Sequence, residues 1–339
     1  MNLKKFKLGF GPMSQDIIKI LGSYTYQNNY PLMVIASRNQ VDHNSGYVCN
    51  TNTLVESLKE FKNDNLLICR DHCGPYFADL DIGLTLEQAL ESCKQTIKND
   101  IESGFDLIHI DVSRIKDNQL YYAELLIEYA LSLKTNLYLE FGSEDNTGID
   151  MMSSIGRIDQ QLTFLQKYKN NVKFFVTQTG SLTKNNQAGT FDIEFNKSTV
   201  NQVHDAGFLF KEHNADYFSK DDLNKRILAG VDSLNIAPQL GKIQTEVIKE
   251  FANIDHWEDY SKYVYQRNYW KRWLPSGITD QAMATLVSGH YCYQGSEYNR
   301  IISNIDLEKF KSVLTNKINT VVDNYTQFGI NLDSNPIDI

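Results

Sequence analysis

Two segments far apart in the chain end alike. Asn65-Leu66-Leu67-Ile68-Cys69 runs into Arg70-Asp71-His72-Cys73-Gly74-Pro75, and Gly207-Phe208-Leu209-Phe210-Lys211-Glu212 runs into His213-Asn214-Ala215-Asp216. Each apolar run therefore delivers an imidazole and a carboxylate at its C-terminal end. Neutral imidazole is a frequent ligand of divalent transition metals, and a catalytic site keeps three protein ligands with one position open. With His72 and His213 as two ligands, Glu144 or Glu140 on a neighbouring strand end offers a carboxylate as the third. Taken singly, each histidine reads as a cap on a backbone carbonyl; together, with acidic neighbours, they favour a metal. Asp71 beside such a centre suits a general acid or base, because surroundings tune its pKa. Its bland role is to orient a histidine. Lys211 carries a rival, metal-free chemistry: it shares parity with His213, and a desolvated lysine on a barrel strand forms Schiff bases, whereas one that snorkels to the rim does not.

Elements must bring these ends together. Buried strands without alternation belong to parallel sheets, whose chemistry sits at the carboxyl ends. Eight such runs are expected at residues 7–12, 33–38, 65–70, 106–112, 136–141, 172–178, 207–212 and 233–236, with helical patterns between them. Ser14 opens the first helix, Thr53 with Glu56 resembles a capping box, and Thr85 to Gln88 opens another. Gly104, Gly207 and Gly230 follow the last helical turn, where a left-handed cap is needed. Eight βα units in about 250 residues match a closed barrel. No GxGxxG follows the first strand, as a dinucleotide-binding open sheet would require. The expected fold is α/β, a (β/α)8 TIM barrel over residues 1–253. A C-terminal helical extension, residues 254–339, would pack on the barrel or on a sister subunit; it holds Trp257, Trp270 and Trp273.

Taken in order, the strand ends give a polar mouth. The first offers Gly11 and Ser14, the second Ser37, Asn39 and Gln40 with His43 further out, the third Asp71 and His72. The fourth offers His109, Asp111 and Ser113, the fifth Glu140 and Glu144. The sixth offers Gln178 and Thr179 with the loop Lys184-Asn185-Asn186, the seventh His213 and Asp216, the eighth Asn235 and Gln239. His109 and Asp111 share parity and should both point inward. His109 lies deeper and reads as a satisfied core histidine; Asp111 remains a catalytic candidate.

Composition removes other classes. A net charge of −9 over 339 residues disfavours nucleic acid, which needs a concentrated basic patch. Arg267, Lys271 and Arg272, interleaved with Tyr269, Trp270 and Trp273, read as an amphipathic helix. No apolar run approaches the roughly 20 residues of a membrane helix, and the lysines at the start precede no signal-like stretch. The cysteines, Cys49, Cys69, Cys73, Cys93 and Cys292, are odd in number and lack disulfide spacing, which suits a reducing cytoplasm. Cys69 and Cys73 form a CxxxC, not the CxxC of a zinc knuckle.

These motifs, in order, resemble the tagatose-bisphosphate aldolase accessory-subunit family of the class II aldolases and its ketose 4-epimerase-like relatives. Val34-Ile35-Ala36-Ser37-Arg38-Asn39-Gln40-Val41 followed by Gly46-Tyr47 resembles the second-strand motif. Asp71-His72-Cys73-Gly74-Pro75, the segment from Gly104 to Ser113, His213-Asn214-Ala215-Asp216-Tyr217 and Tyr269-Trp270-Lys271 are similar to further family motifs. The resemblance implies a metal-dependent barrel handling a ketose or ketose phosphate, with His72 and His213 holding a divalent metal, zinc in kind; Glu144, in Gly142-Ser143-Glu144, looks like the glutamate of the family's Gly-Thr-Glu and is the carboxylate expected to complete the ligand set. It implies that Asp71 moves the proton on the C4 oxygen, with Glu144 and Asp111 as further catalytic candidates. Ser37, Asn39, Gln40, Gln178, Asn185, Asp216 and Asn235 would contact substrate. The chain departs from the family where a histidine after the sixth strand gives way to Asn185 or Asn186. The Gly-Gly-Ser-Gly phosphate loop is missing, and Gly289-His290-Tyr291-Cys292-Tyr293-Gln294 replaces an arginine-rich motif. A C4 epimerase is therefore the first expectation. A class II ketose-bisphosphate aldolase and a non-catalytic subunit that stabilises an aldolase are the alternatives. A homo-oligomer or an aldolase partner subunit is expected, without nucleic acid or membrane.

Overall fold

The computed structural model describes residues 2–142, 155–180 and 188–334. Eight parallel strands close into a barrel: β1 (Leu8–Phe10), β2 (Leu32–Ser37), β3 (Leu66–Cys73), β4 (Leu107–Asp111), β5 (Tyr138–Gly142), β6 (Val172–Val176), β7 (Leu209–Glu212) and β8 (Ser233–Ile236). Sequential strands pair all the way round, and β8 returns to β1 through Gly9 opposite Asn235. Helices follow on the outside: α1 (Gln15–Asn28), α2 (Thr51–Leu58), α3 (Leu86–Ser103), α4 (Gln119–Leu133), α5 (Ile155–Leu165), α6 (Ile193–Asp205), α7 (Lys220–Ala229) and α8 (Pro238–Phe251). The expected (β/α)8 barrel is the fold observed.

The period of two along each strand sorts its side chains into two cores. Val34, Ile68, Ile108, Phe141, Phe175 and Phe210 face the helices. Met33, Ile35, Leu67, Cys69, Leu107 and Phe174 fill the barrel, and Leu3 and Phe6 of the N-terminal segment join them from below. Such a floor is dry, so a polar group placed just above it must find its partner within the protein.

Local signals explain most helix ends. Ser14 Oγ accepts the Ile17 N–H at 3.1 Å. Thr85 and Gln88 form the expected capping box, and Gly104 and Gly230 close α3 and α7 with φ of 96° and 83°. The start of α2 differs from expectation. Asn50, not Thr53, is the cap, accepting the Thr53 N–H at 2.9 Å. Asn outranks Thr as a cap, and here it lets the helix begin a turn earlier.

Four more helices follow: α9 (Ile254–Gln266), α10 (Gln281–Ser288), α11 (Ser296–Ile302) and α12 (Leu307–Ser334). The expected amphipathic helix around Arg267 does not form. Asn268 turns left-handed, with φ 61°, and Tyr269–Arg272 is a single 3-10 turn. Phe310, Leu314, Ile318, Val322 and Tyr325 line one stripe of α12 and join the outer core. Tyr325 donates its hydroxyl to Ala215 O at 2.6 Å and accepts the Phe218 N–H at 3.1 Å, pinning the loop that follows β7. No helix among the described residues is long and apolar enough to cross a membrane.

Candidate active site

The end of β3 is irregular, and the irregularity builds the site. Strict alternation would turn Asp71 and His72 to opposite faces. Instead the pairing of β3 with β4 slips between Arg70 and Cys73, and His72 takes a left-handed backbone with φ 46°. That conformation costs a non-glycine residue roughly 1–2 kcal/mol and persists only where its surroundings enforce it. Arg70 anchors one side: fully buried, it pairs with both carboxylate oxygens of Asp100 at 2.7 Å and donates to Ala36 O at 2.9 Å. Gly74 closes the other, lying so near β4 that a Cβ would fall 1.5 Å from Asp111 O. The bulge brings Asp71 and His72 inward together.

Four groups meet above the barrel floor. One ligand atom each from Asp71, His72, His109 and His213 lies within 4.8 Å of all the others. His72 Nε2 faces His213 Nδ1 at 3.4 Å. Asp71 Oδ1 lies 3.6 Å from His109 Nδ1 and 3.8 Å from His213 Nδ1, and Asp71 Oδ2 lies 3.7 Å from His72 Nε2. Asp71 Oδ1 is buried without a hydrogen-bond partner within 3.5 Å. Ligands about 2.1 Å from a tetrahedral ion sit about 3.4 Å apart, so three imidazoles and a carboxylate at these separations fit a divalent transition metal. Such an ion would take all four groups, or the three imidazoles alone with Asp71 beside an open position.

Each imidazole is oriented by a further group. His72 Nδ1 donates to Asp111 Oδ2 at 2.6 Å, which turns Nε2 to the centre. Asp111 Oδ1 in turn accepts the Ser113 N–H at 2.9 Å. The Phe77 ring stacks on His72 with centroids 5.2 Å apart, and Arg114 lies 4.2 Å over the same ring. His213 Nε2 donates to Glu140 Oε1 at 2.7 Å, leaving Nδ1 facing the centre. The Asn235 amide lies 3.1 Å from the same Nε2. His109 turns Nδ1 to the centre, 3.6 Å from Asp71 Oδ1; the same nitrogen accepts a long bond from the His72 backbone N–H at 3.3 Å, which a cation at Nδ1 would replace.

Charge follows this geometry. Burial would raise the Asp71 carboxyl, but His72, then His213 and His109, hold it far below the usual carboxylate range. Burial would likewise raise Glu140, and Lys211, then His109 and His213, hold it well below. Burial would lower His72, yet Asp71 and the bond to Asp111 raise it to about 9. For His213 burial prevails over Asp71 and Glu140, and its pKa is lowered. Of the two facing imidazoles, His72 therefore favours the proton and His213 disfavours it.

The expected residues divide. Asp71, His72 and His213 come together, Asp111 orients His72, and Asn235 borders His213. Glu144 and Asn185 lie outside the described residues. Gln40 is buried and accepts the Ser37 N–H at 2.7 Å, while Asn39 ties its loop to Asp79 through the Asp79 N–H at 2.7 Å. Asp216 caps α8, its Oδ1 accepting the Ala237 and Gln239 N–H groups at 3.1 and 2.8 Å. Burial pushes that carboxyl up to about 7 although both N–H bonds lower it. Gln178 is buried after β6. His109 departs from its reading as a satisfied core histidine: its ring centroid stands 5.2 Å from that of His72 and 5.0 Å from that of His213. Its parity with Asp111 was the signal. Lys211 does point inward, but it is buried and paired with Glu140 instead of snorkelling to the rim.

Residues 13–130 match the family model described as D-tagatose-1,6-bisphosphate aldolase subunit GatZ/KbaZ-like. The match carries β2, β3 and β4, and so Asp71, His72, His109 and Asp111; over this segment the resemblance drawn from the motifs holds. The fold is similar to that of a probable tagatose 6 phosphate kinase from Sinorhizobium meliloti 1021, with TM-score 0.77 and 15% identity, covering 95% of this chain and 100% of that one. It is also similar to the YdjI aldolase from Escherichia coli K12, with TM-score 0.52 and 11% identity over 90% of this chain and 94% of that one. Fructose-bisphosphate aldolase (Fba) from Campylobacter jejuni gives TM-score 0.53 and 14% identity over 89% and 91%. At these identities the likeness is one of fold.

Proposed function

We propose that this chain is a metal-dependent enzyme of the class II aldolase type that makes and breaks the C3–C4 bond of a ketose or ketose phosphate. The single observation that carries the reading is the Asp71–His72–His109–His213 cluster at the carboxyl ends of β3, β4 and β7. It lies partly within the segment that matches an aldolase-subunit family. His72, His213 and His109 would hold a divalent cation, zinc being suited to nitrogen ligands in this number. When bound, the ion supplies a Lewis acid that polarises the ketose carbonyl.

The protein's own groups do the rest. Asp71, ionised and without a hydrogen bond at Oδ1, would take the proton of the C4 hydroxyl as the C3–C4 bond breaks: C4 becomes an aldehyde, and the bonding pair stays with C3, delocalised into the C2 carbonyl as an enediolate. Asp111 keeps Nε2 of His72 turned inward, and Asn235, beside His213, would contact the ketose fragment. If the aldehyde turns over before C3 adds back, Asp71 returns the proton to the oxygen and the C4 epimer results. The missing Gly-Gly-Ser-Gly loop favours that outcome over release, since a second phosphate has no such cradle. A cytoplasmic location belongs to the same reading.

The test is a panel of ketoses and ketose phosphates followed by NMR with the metal-loaded protein. Interconversion of C4 epimers without free aldehyde is expected. Accumulating aldehyde and a three-carbon ketone would make it an aldolase. The family description names an aldolase subunit, which favours a stabilising role as the second reading. No turnover, joined to rescue of a separate aldolase chain, would establish that role.

A further inference from the structure

Lys211 has no evident reason to be where it is. Its ammonium is fully buried above an apolar floor, 4.4 Å over the Phe174 ring and 3.6 Å from Met33 Sδ. Among the described residues its charged partner is Glu140, itself buried. Stability does not account for such a pair, because apolar residues of similar volume commonly serve as well or better in a dry interior. Glu140 has a second engagement, however: Oε2 meets Lys211 and Oε1 meets His213 Nε2 at 2.7 Å.

We propose that Lys211, acting through Glu140, is a positioning residue that fixes His213 in the tautomer carrying its proton on Nε2. The inference rests on the metal-dependent reading above and names the device that prepares one of its ligands. A neutral imidazole offers one lone pair, and whichever nitrogen holds the proton cannot bind a metal. Glu140 Oε1 only accepts, so the proton it shares with His213 sits on Nε2, and the lone pair of Nδ1 faces His72 and Asp71. A lone carboxylate could swing between His109, 3.6 Å from Oε1, and His213. Lys211 grips Oε2 and removes that freedom. Asn235 alone would not settle the matter, because a side-chain amide presents a donor or an acceptor according to its flip. The chain of contacts runs Lys211, Glu140, His213, centre, in the pattern of a carboxylate orienting a metal-binding histidine. The lysine extends that pattern one residue further.

The experiment uses the full chain, labelled with 15N-histidine, as wild type and as the double variant Lys211→Met/Glu140→Met. The double change removes both charges together, so neither is left buried alone, and a thermal melt confirms folding. In the metal-free wild type, long-range 1H–15N correlations should place the His213 proton on Nε2. In the double variant that preference should be lost, and cobalt(II) affinity, read from its visible absorption, should fall about 10–100-fold. A wild-type proton on Nδ1, or a folded double variant that keeps wild-type tautomer or cobalt affinity, would overturn the proposal. A wild type that takes up no cobalt would fell the metal-dependent function instead. The tautomer comparison would then still decide whether the Lys211–Glu140 pair sets the His213 tautomer.

Discussion

His72 Nε2 and His213 Nδ1 face each other at 3.4 Å although 141 positions separate them in the chain. That spacing is the edge of a tetrahedron of nitrogen ligands around a divalent ion. Purified protein should therefore carry close to one equivalent of a divalent transition metal by plasma mass spectrometry. His72→Ala, His109→Ala and His213→Ala should each lose most of it, and chelation of the wild type should abolish turnover. Stoichiometric metal surviving in the His72 or His213 variant would move the centre elsewhere.

Gly142 is held to its identity by His109, since a Cβ there would lie 2.8 Å from Nε2 of that ring. Gly142→Ala should push the imidazole toward His72 and spoil the ligand geometry while disturbing the outer core little. The expected result is metal affinity at least tenfold weaker with stability lowered by only about 1–3 kcal/mol, as for other overpacked sites. Unchanged metal affinity would mean that His109 stands outside the ligand set.

Arg70 fixes the bulge from below, and its charge is balanced by Asp100 at 2.7 Å with neither side chain exposed. Asp100→Ala would leave a guanidinium buried without its carboxylate, a loss of about 3–5 kcal/mol. Urea unfolding should show that loss, and metal affinity should fall with it as Asp71 and His72 lose their support. A cost under about 1 kcal/mol would show that the bulge is held by other contacts.

His290 supplies a pH dependence outside the Asp71–His72–His109–His213 cluster. It is buried against Tyr47 and Tyr291, neither ring nitrogen has a hydrogen-bond partner, and burial pushes its pKa down to about 3. Below about pH 6.5 the unfolded chain holds a proton there that the folded chain does not, so stability falls as pH falls. The slope for one proton is about 1.4 kcal/mol per pH unit. His213, also lowered, adds a slope of the same sign. His72, raised to about 9, is protonated in both states below pH 6.5; its stabilisation is lost only as pH rises toward 9. Urea unfolding at pH 6.5 and 5.5 should thus show a shallower slope for His290→Leu than for wild type. Identical slopes would show that the imidazole reaches water.

Strand parity made much of this centre readable in the chain. It placed His213 and Lys211 on one inner face, and His109 with Asp111 on another, as the barrel confirms. It failed at Asp71 and His72, where a slipped register lets neighbours share a face, because the slip depends on Arg70, Asp100 and Gly74 meeting in three dimensions. His109 reads from the sequence as a deep core histidine, yet its ring lies 5.2 Å from that of His72, which follows the slipped register. Asp216 carries a polar signal indistinguishable from that of a substrate ligand, yet two backbone N–H groups of α8 claim its Oδ1. Such competition for a side chain leaves no mark in local sequence.

Asp71 separates binding from chemistry most sharply. It stands within 4 Å of His72, His109 and His213, yet its Oδ1 has no hydrogen bond. If it is the base that takes the C4 hydroxyl proton, Asp71→Asn keeps shape and most polar contacts but loses the accepting charge. Three imidazoles remain to hold the ion, so metal content should stay near wild type. Turnover should drop by about 10²–10⁴, the usual worth of a positioned base. KM should change little, because the lost interaction belongs to the step in which the proton moves. Loss of metal together with activity would instead make Asp71 the fourth ligand, and the open position would have to come from one of the histidines.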